Sequence, residues 1–422
     1  MVEVLTTLLI ASAIIFFGFF AEFLFSKLKI PDVLLLVLFG IVLGPYGLKY
    51  VMPASLTAIA PIFTTFALLF LLFDGAFNID IVSFAKGLGK GMVITIYNFF
   101  IASIVVAAIS SFFGFDLLHS LLLGFILGGI SSAFVIPVIQ NLKIKKETYS
   151  ILTLESAVTD VLCIVFALTT IEIIKLNTFN FNIVVSKLAA LFAVAAFFGI
   201  IAGIVWIVLV SKILKKSKSY MLTIAYLLLL YAATEYMNGN GAIAALFFGL
   251  VLRNSKKLAS LIDVENGVSA TSETEKLFYS QISFFLKTFF FVYIGILLDF
   301  SDSKALLIGA IISVLIMALR TTSSMFTKVL LPYDQKVISS IFARGLAAAV
   351  LAQLAIQNNL QNADFIVKIV FSVIMFTIAL SSAKIFFVSK KYGGEEGVGG
   401  SNNNNNHDNN NNHKKNKNNN KA

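Results

Sequence analysis

LESAVTDVLCIV, residues 154–165, places two carboxylates, Glu155 and Asp160, inside a run that is otherwise uncharged and mostly apolar. On a helix the five-residue step between them turns through about 140°, so they point to different sides, whereas Ser156 and Asp160, four apart, share a face. If the run lies in a bilayer, an ionisable side chain at depth costs roughly 2.5–3.5 kcal/mol even on the milder insertion scales. Each carboxylate then needs a partner or a purpose.

The rest of the chain supplies the bilayer. Hydrophobic residues make up 58% of the 422 residues and the mean hydropathy is +0.92, far outside the range of a soluble domain of this length. The chain reads as an all-α integral membrane protein with about thirteen apolar segments long enough to cross a bilayer as helices. They cover 4–26, 31–49, 55–79, 90–114, 117–141, 147–174, 183–211, 219–236, 239–252, 277–299, 304–327, 336–357 and 364–388.

Seventeen lysines and arginines fall in or at the edges of the odd-numbered loops, against Lys49, Lys175, Lys187 and Lys304 for the even-numbered ones. The positive-inside rule therefore places the odd loops and the C-terminus in the cytoplasm and the N-terminus outside. This bias accounts for the formal charge of +10 without a nucleic-acid partner. The first apolar segment lacks a basic flank and is longer than a signal-peptide core, so it reads as a retained helix. A single cysteine, Cys163, excludes an intrachain disulfide. Residues 1–390 form the transmembrane domain; 391–422 are Asn-rich and nearly free of apolar side chains, which predicts a disordered cytoplasmic tail. His407 and His413 in that tail have no defined spacing geometry for a metal.

Within the spans, the candidate partners of a buried carboxylate are Arg320 in span 11 and Arg344 in span 12; Lys287 in span 10 reads as a snorkelling side chain. Glu155 reads as half of a buried ion pair with an arginine on another helix, which leaves Asp160 as the working group. Spans 1 to 6 and 8 to 13 superpose in order by a shift of seven, and an odd shift reverses each helix, so the pattern is an inverted repeat. The shift relates span 5 to span 12, and both are interrupted midway. Gly128, Gly129 and Pro137 break GGISSAFVIPVI (128–139), and Gly345 beside Arg344 breaks FARGLAAAV (342–350). Paired, crossed broken helices point to an ion site at the bilayer midplane.

At this point the sequence resembles the monovalent cation:proton antiporters, in particular the archaeal and bacterial sodium/proton exchangers. The resemblance rests on GIVLGPYGL (40–48), LLFDGAFNID (71–80), ESAVTD (155–160), FFFVYIGILLDF (289–300), Arg320 and ARGLAAAV (343–350), which occur in the family's order. It implies an ion-transporting core of spans 4–6 and 11–13 that moves like an elevator past a dimerising scaffold of the remaining helices, in a homodimer of the cell membrane. It implies that Asp160 alternately holds a cation, Na+ or Li+, and a proton, with Ser156 as an oxygen ligand, Thr159 where electroneutral exchangers usually carry Asn, and Ser131 and Ser132 in the unwound part of span 5. Glu155 and Arg320 match the family's buried ion pair, Arg344 and Gly345 support the unwound part of span 12, and Asp74 matches an acidic position on the cation path.

Where the sodium branch shows Thr-Asp-Pro, this chain has Ser131, Ser132 and Ala133, which read more like the potassium-efflux branch. K+/H+ exchange is therefore the alternative. With one titrating carboxylate, a cation and a proton compete for one charge, which gives 1:1 electroneutral exchange with no ATP, cofactor or resident metal. A cation channel or cation-coupled symporter is a more distant rival, since few polar residues remain to line a solute cavity. An intramembrane hydrolase would need a second Asp close to Asp160, and Glu155 points elsewhere; the chain is not read as an enzyme.

Overall fold

The computed structural model describes residues 2–28, 31–77, 90–176, 181–212, 219–255, 273–327 and 330–392. The Asn-rich tail expected to be disordered lies, from 393 onward, outside the described residues. All regular structure among the described residues is helical. The first half of the chain forms α1 (Val2–Leu28), α2 (Asp32–Leu43), the single turn α3 (Pro53–Leu56), α4 (Ala60–Phe77), α5 (Lys90–Phe112), α6 (Leu117–Ile126), α7 (Ser132–Gln140) and α8 (Lys146–Leu176). The second half forms α9 (Phe181–Lys212), α10 (Ser219–Tyr236), α11 (Gly241–Arg253), α12 (Glu273–Leu297) and α13 (Ser303–Arg320), with a 3-10 segment at Thr321–Met325, and then α14 (Pro332–Ser340), α15 (Leu346–Gln357) and α16 (Ala363–Tyr392). Among the described residues seven of these are long and apolar enough to cross a membrane, and six shorter apolar helices accompany them. Large apolar side chains such as Leu9, Phe16 and Phe112 face outward, as expected where the solvent is hydrocarbon.

The helices pack in two sets. One joins α5, α6, α7 and α8 to α13, α14, α15 and α16; the other joins α1, α2, α4, α9, α10, α11 and α12. The two sets meet chiefly where α4 lies against α8 and α15, α2 against α16, and α12 against α15.

Glycine decides how closely the second set packs. A Cβ on Gly40 would collide with the Val292 carbonyl oxygen, and one on Gly295 with that of Val37, so α2 and α12 touch backbone to backbone. Helices in lipid gain little from hydrophobic association and rely on such close packing. The pair is tied at both ends. Lys287, expected to snorkel, instead donates to Asp32 at 2.6 Å, because its four-carbon stem reaches a buried carboxylate at the start of α2. At the far end the Tyr46 hydroxyl donates to Asp299 at 2.8 Å. These contacts advance together along both chains, so α2 and α12 run parallel.

Asp299 also receives Lys368 of α16 at 2.9 Å, and Lys368 reaches Asp302, the N-cap of α13, at 3.2 Å. The Ser301 hydroxyl first, and Lys368 second, hold the Asp299 carboxyl well below the usual carboxylate range, so this junction stays charged well into acid. At the start of α6, Asp116 caps the helix through Leu118 N and also contacts Nδ1 of the buried His119.

Gly295→Ala should destabilise the protein by about 1–3 kcal/mol through forced separation of α2 and α12. Gly75→Ala makes the same chemical change, but there a Cβ meets only the Val161 side chain at 3.3 Å, and it should be neutral or stabilising. Thermal unfolding of the two variants in detergent checks this; equal shifts would contradict the close-packing account.

Candidate functional site

α6 ends at Ile126 and α7 begins at Ser132, leaving peptide groups between them with no helical partner. In an apolar setting each unsatisfied group costs several kcal/mol, so side chains must replace the missing helix bonds. α8 supplies them. Gly129 N donates to Cys163 Sγ at 3.1 Å and Ile130 N to Thr159 Oγ1 at 3.2 Å, the two acceptors standing one turn apart on one face of α8. That approach needs glycine, since a Cβ on Gly129 would lie 2.8 Å from Cys163 Sγ and 2.9 Å from Thr159 Cβ. Asp160, the residue after Thr159 and one turn before Cys163, accepts the Ser132 hydroxyl at 2.6 Å at the N-terminus of α7. Asp160 is half-buried while Ser156 and Thr159 are buried.

α14 and α15 are interrupted in the same manner over residues 341–345. Here α16 provides the support, again from two residues one turn apart. Thr377 Oγ1 accepts Arg344 N at 3.0 Å, and Ser381 accepts Phe342 N at 3.4 Å while donating to Ser340 O at 2.6 Å. The carbonyl end of α14 is closed by Arg320 Nε on Ile338 O at 3.0 Å and Lys384 Nζ on Ser339 O at 2.8 Å, so two cations sit at the negative end of the helix dipole. The two interruptions meet each other directly. Ser131 N donates to Ala343 O at 2.9 Å, and a Cβ on Gly345 would collide with the Ser131 hydroxyl oxygen.

Glu155 leaves α8 one turn before Thr159, about 140° around the helix from Asp160. Arg320 binds it through both terminal nitrogens, Nη2 to Oε2 at 2.8 Å and Nη1 to Oε1, and Asn98 Nδ2 adds a bond of 2.9 Å to Oε1. Asn98 is held in turn by the Ser323 hydroxyl at 2.8 Å. Glu155 and Arg320 are almost completely buried, a burial that charges tolerate only when paired and hydrogen-bonded. Arg344 is buried as well and lines, with Asn98, Glu155 and Arg320, a cavity of about 20 Å³. With Asp160 ionised, the charges of Asp160, Glu155, Arg320 and Arg344 cancel.

The structure therefore gathers Ser131, Ser132, Thr159, Asp160 and Gly345 at one junction, with Glu155, Arg320 and Arg344 behind it. The Ser156 hydroxyl is turned onto its own helix, donating to Thr153 O at 3.1 Å. Asp74 is on α4 and hydrogen-bonds Ser283 of α12, while the adjacent Gly75 faces Val161 of α8. Several supports were not singled out from sequence: Asn98, Thr377, Ser381, Lys384, and the buried Asp334, which takes the Thr148 hydroxyl at 3.0 Å. Asn98, an amide inside TIYNFF, carried a readable signal; Ser and Thr are too common in apolar helices to carry one.

Two discontinuous helices meeting beside a carboxylate define a polytopic helical membrane protein of the architecture found in secondary transporters. Residues 11–391 match the family model described as "Sodium/hydrogen exchanger, transmembrane", and the chain belongs to that family. Similar proteins include the K(+)/H(+) antiporter NhaP2 of Shewanella sp. (strain ANA-3), 23% identical over 374 residues, covering 85% of this chain. The K(+)/H(+) antiporter NhaP of Alkalimonas amylolytica is 24% identical over 359 residues, covering 82%. The chain spans 62% and 60% of the lengths of these two curated relatives. The fold is shared with the sodium proton antiporter MjNhaP1 from Methanocaldococcus jannaschii at pH 8, with a TM-score of 0.71 and 19% identity over 90% of this chain and 100% of that one.

Alanine at Glu155 or at Arg320 should cost about 3–5 kcal/mol, because each strands the other charge at depth. The double variant should cost clearly less than the two together, a coupling that a double-mutant cycle on melting curves measures. Additive losses would mean that the pair is not coupled.

Proposed function

We propose that the protein is a secondary antiporter that exchanges a monovalent cation for H+ across the cell membrane, with Asp160 as the group that carries one or the other. The observation that carries this reading is the half-buried Asp160 at the N-terminus of α7, bonded to Ser132 where the two broken helices meet. An ionised carboxylate there is neutralised by a dehydrated cation or by a proton, and the two compete. Thr159 contributes by holding Ile130 N, and so fixes the unwound segment rather than adding charge. Ser131 and Ser132 complete the oxygen set, Ser156 contributes through its remaining lone pairs, and Asp74 lies on the approach between the two helix sets.

The cation proposed is Na+, with Li+ also accepted, in keeping with the name of MjNhaP1. The alternative is K+, which the Ser131-Ser132-Ala133 sequence and the names of the Shewanella and Alkalimonas relatives favour. The proposed topology has thirteen crossings, each broken helix counted once, with the N-terminus outside and the C-terminus in the cytoplasm. The matching supports of the two breaks, Thr159 and Cys163 on α8, Thr377 and Ser381 on α16, favour an inverted repeat. The two packing sets favour a transport core that slides as an elevator against a scaffold, which would also carry the homodimer contact. Catalysis of a chemical reaction, a cofactor and ATP have no part in this reading.

Purified protein in liposomes with an imposed pH gradient should move protons on addition of Na+ or Li+, and Asp160→Asn should abolish that movement while the protein still inserts and melts as a folded species. Retained exchange in the variant would overturn the role of Asp160, and a response to K+ alone would establish the alternative cation. Because one carboxylate carries one charge in each direction, exchange should be electroneutral. A potential of 100 mV, worth about 2.3 kcal/mol per charge, should then leave unchanged the Na+ gradient that balances a fixed pH gradient. A balance point that moves with a clamped potential would require a second titrating group.

A further inference from the structure

At one end of the bundle, where α13 passes into its 3-10 segment and meets α14 and α16, a pocket of about 190 Å³ is lined by Thr321, Gln335, Lys336, Ser339 and Lys384. Two ammonium groups therefore border one small space. Neither has a carboxylate within ion-pair distance among the described residues: Asp334, on the same helix as Lys336, is turned to Thr148, and Glu155 is committed to Arg320. Lys384 spends one of its three donors on Ser339 O, which leaves two for a ligand. Gln335 Nε2 donates to Leu330 O and keeps one hydrogen free.

The hydroxyls of Thr321 and Ser339 donate to Ala318 O and Lys336 O, so the pocket's remaining donors are two cations and an amide. That set suits an anion with several oxygens. At about 30 Å³ per water the space exceeds what a monatomic ion fills. Its surroundings identify the source of the anion. Phe387, three residues beyond Lys384 on the same face of α16, is 67% exposed, and Met325, at the end of the 3-10 segment that begins at Thr321, is 66% exposed. A cationic pocket beside exposed apolar side chains at a helix-bundle end matches a phosphate group that has acyl chains attached.

We propose that this pocket binds the phosphate headgroup of an anionic phospholipid, with Lys336 and Lys384 neutralising it and Phe387 and Met325 lying against its chains. Lys336 is exposed and Lys384 half-buried, so the two cations meet the phosphodiester from the open side of the pocket and from within. Since Lys384 also closes the carbonyl end of α14, the lipid is tied to the broken helix that approaches Asp160.

The test is thermal unfolding of the full chain in detergent while phosphatidylglycerol, phosphatidylcholine with the same chains, or inorganic phosphate is added. Phosphatidylglycerol should raise the melting temperature saturably above the effect of phosphatidylcholine, and inorganic phosphate should not. Lys336→Gln, which touches neither the ion pair nor the helix break, should melt normally in phosphatidylcholine but bind phosphatidylglycerol about fivefold more weakly, the worth of one basic residue against an anionic headgroup. Equal stabilisation by the two lipids, an unchanged phosphatidylglycerol affinity in the variant, or a full effect of inorganic phosphate alone would each overturn the proposal. None of these outcomes depends on whether the protein exchanges cations.

Discussion

A peptide group freed from its helix inside hydrocarbon has no water to turn to, and the centre of this protein is organised by that fact. Two helices are unwound at depth, and each loses several backbone bonds at once. The replacements come from neighbouring helices in a repeated form, a pair of acceptors one turn apart: Thr159 and Cys163 for the first break, Thr377 and Ser381 for the second. Asp160 takes its position from this arrangement. It sits one residue after Thr159, so the bond that holds Ile130 N also sets the carboxylate beside Ser132.

The charges behind the junction follow the same logic. Glu155 and Asp160 leave α8 in different directions, and their environments differ accordingly. Glu155 is enclosed by Arg320 and Asn98, while Asp160 keeps a single side-chain hydroxyl donor and partial exposure. Arg320 serves twice, pairing Glu155 and closing Ile338 O, so the ion pair fixes the end of α14 as well as α8. A charge pair that also caps a helix resists rearrangement more than one that only neutralises.

Much of this was legible in the sequence because charges are rare in apolar helices and each one is conspicuous. The apolar spans, the interruptions at Gly128, Gly129 and Gly345, and the separation of Glu155 from Asp160 all follow from residue type and helical period. What stayed hidden depends on which neighbour a side chain meets. Lys287 reads equally well as snorkelling or paired until Asp32 is placed beside it. Ser156 shares a face with Asp160, yet its hydroxyl prefers the carbonyl one turn back, a choice that period alone does not reveal. The acceptors on α16 are ordinary hydroxyl residues, indistinguishable in sequence from the many serines and threonines that bond their own helix.

The bond from Ser131 N to Ala343 O joins the two interruptions through main-chain atoms alone. No side-chain replacement at either residue removes its donor or its acceptor, proline at 131 excepted. Apart from that proline, inheritance can alter this junction only indirectly, by changing the room around it, and that room is kept by residues such as Gly129 and Gly345, where a side chain would collide with its neighbours. Sequences can drift a long way around such a seam while the path of the chain through it persists.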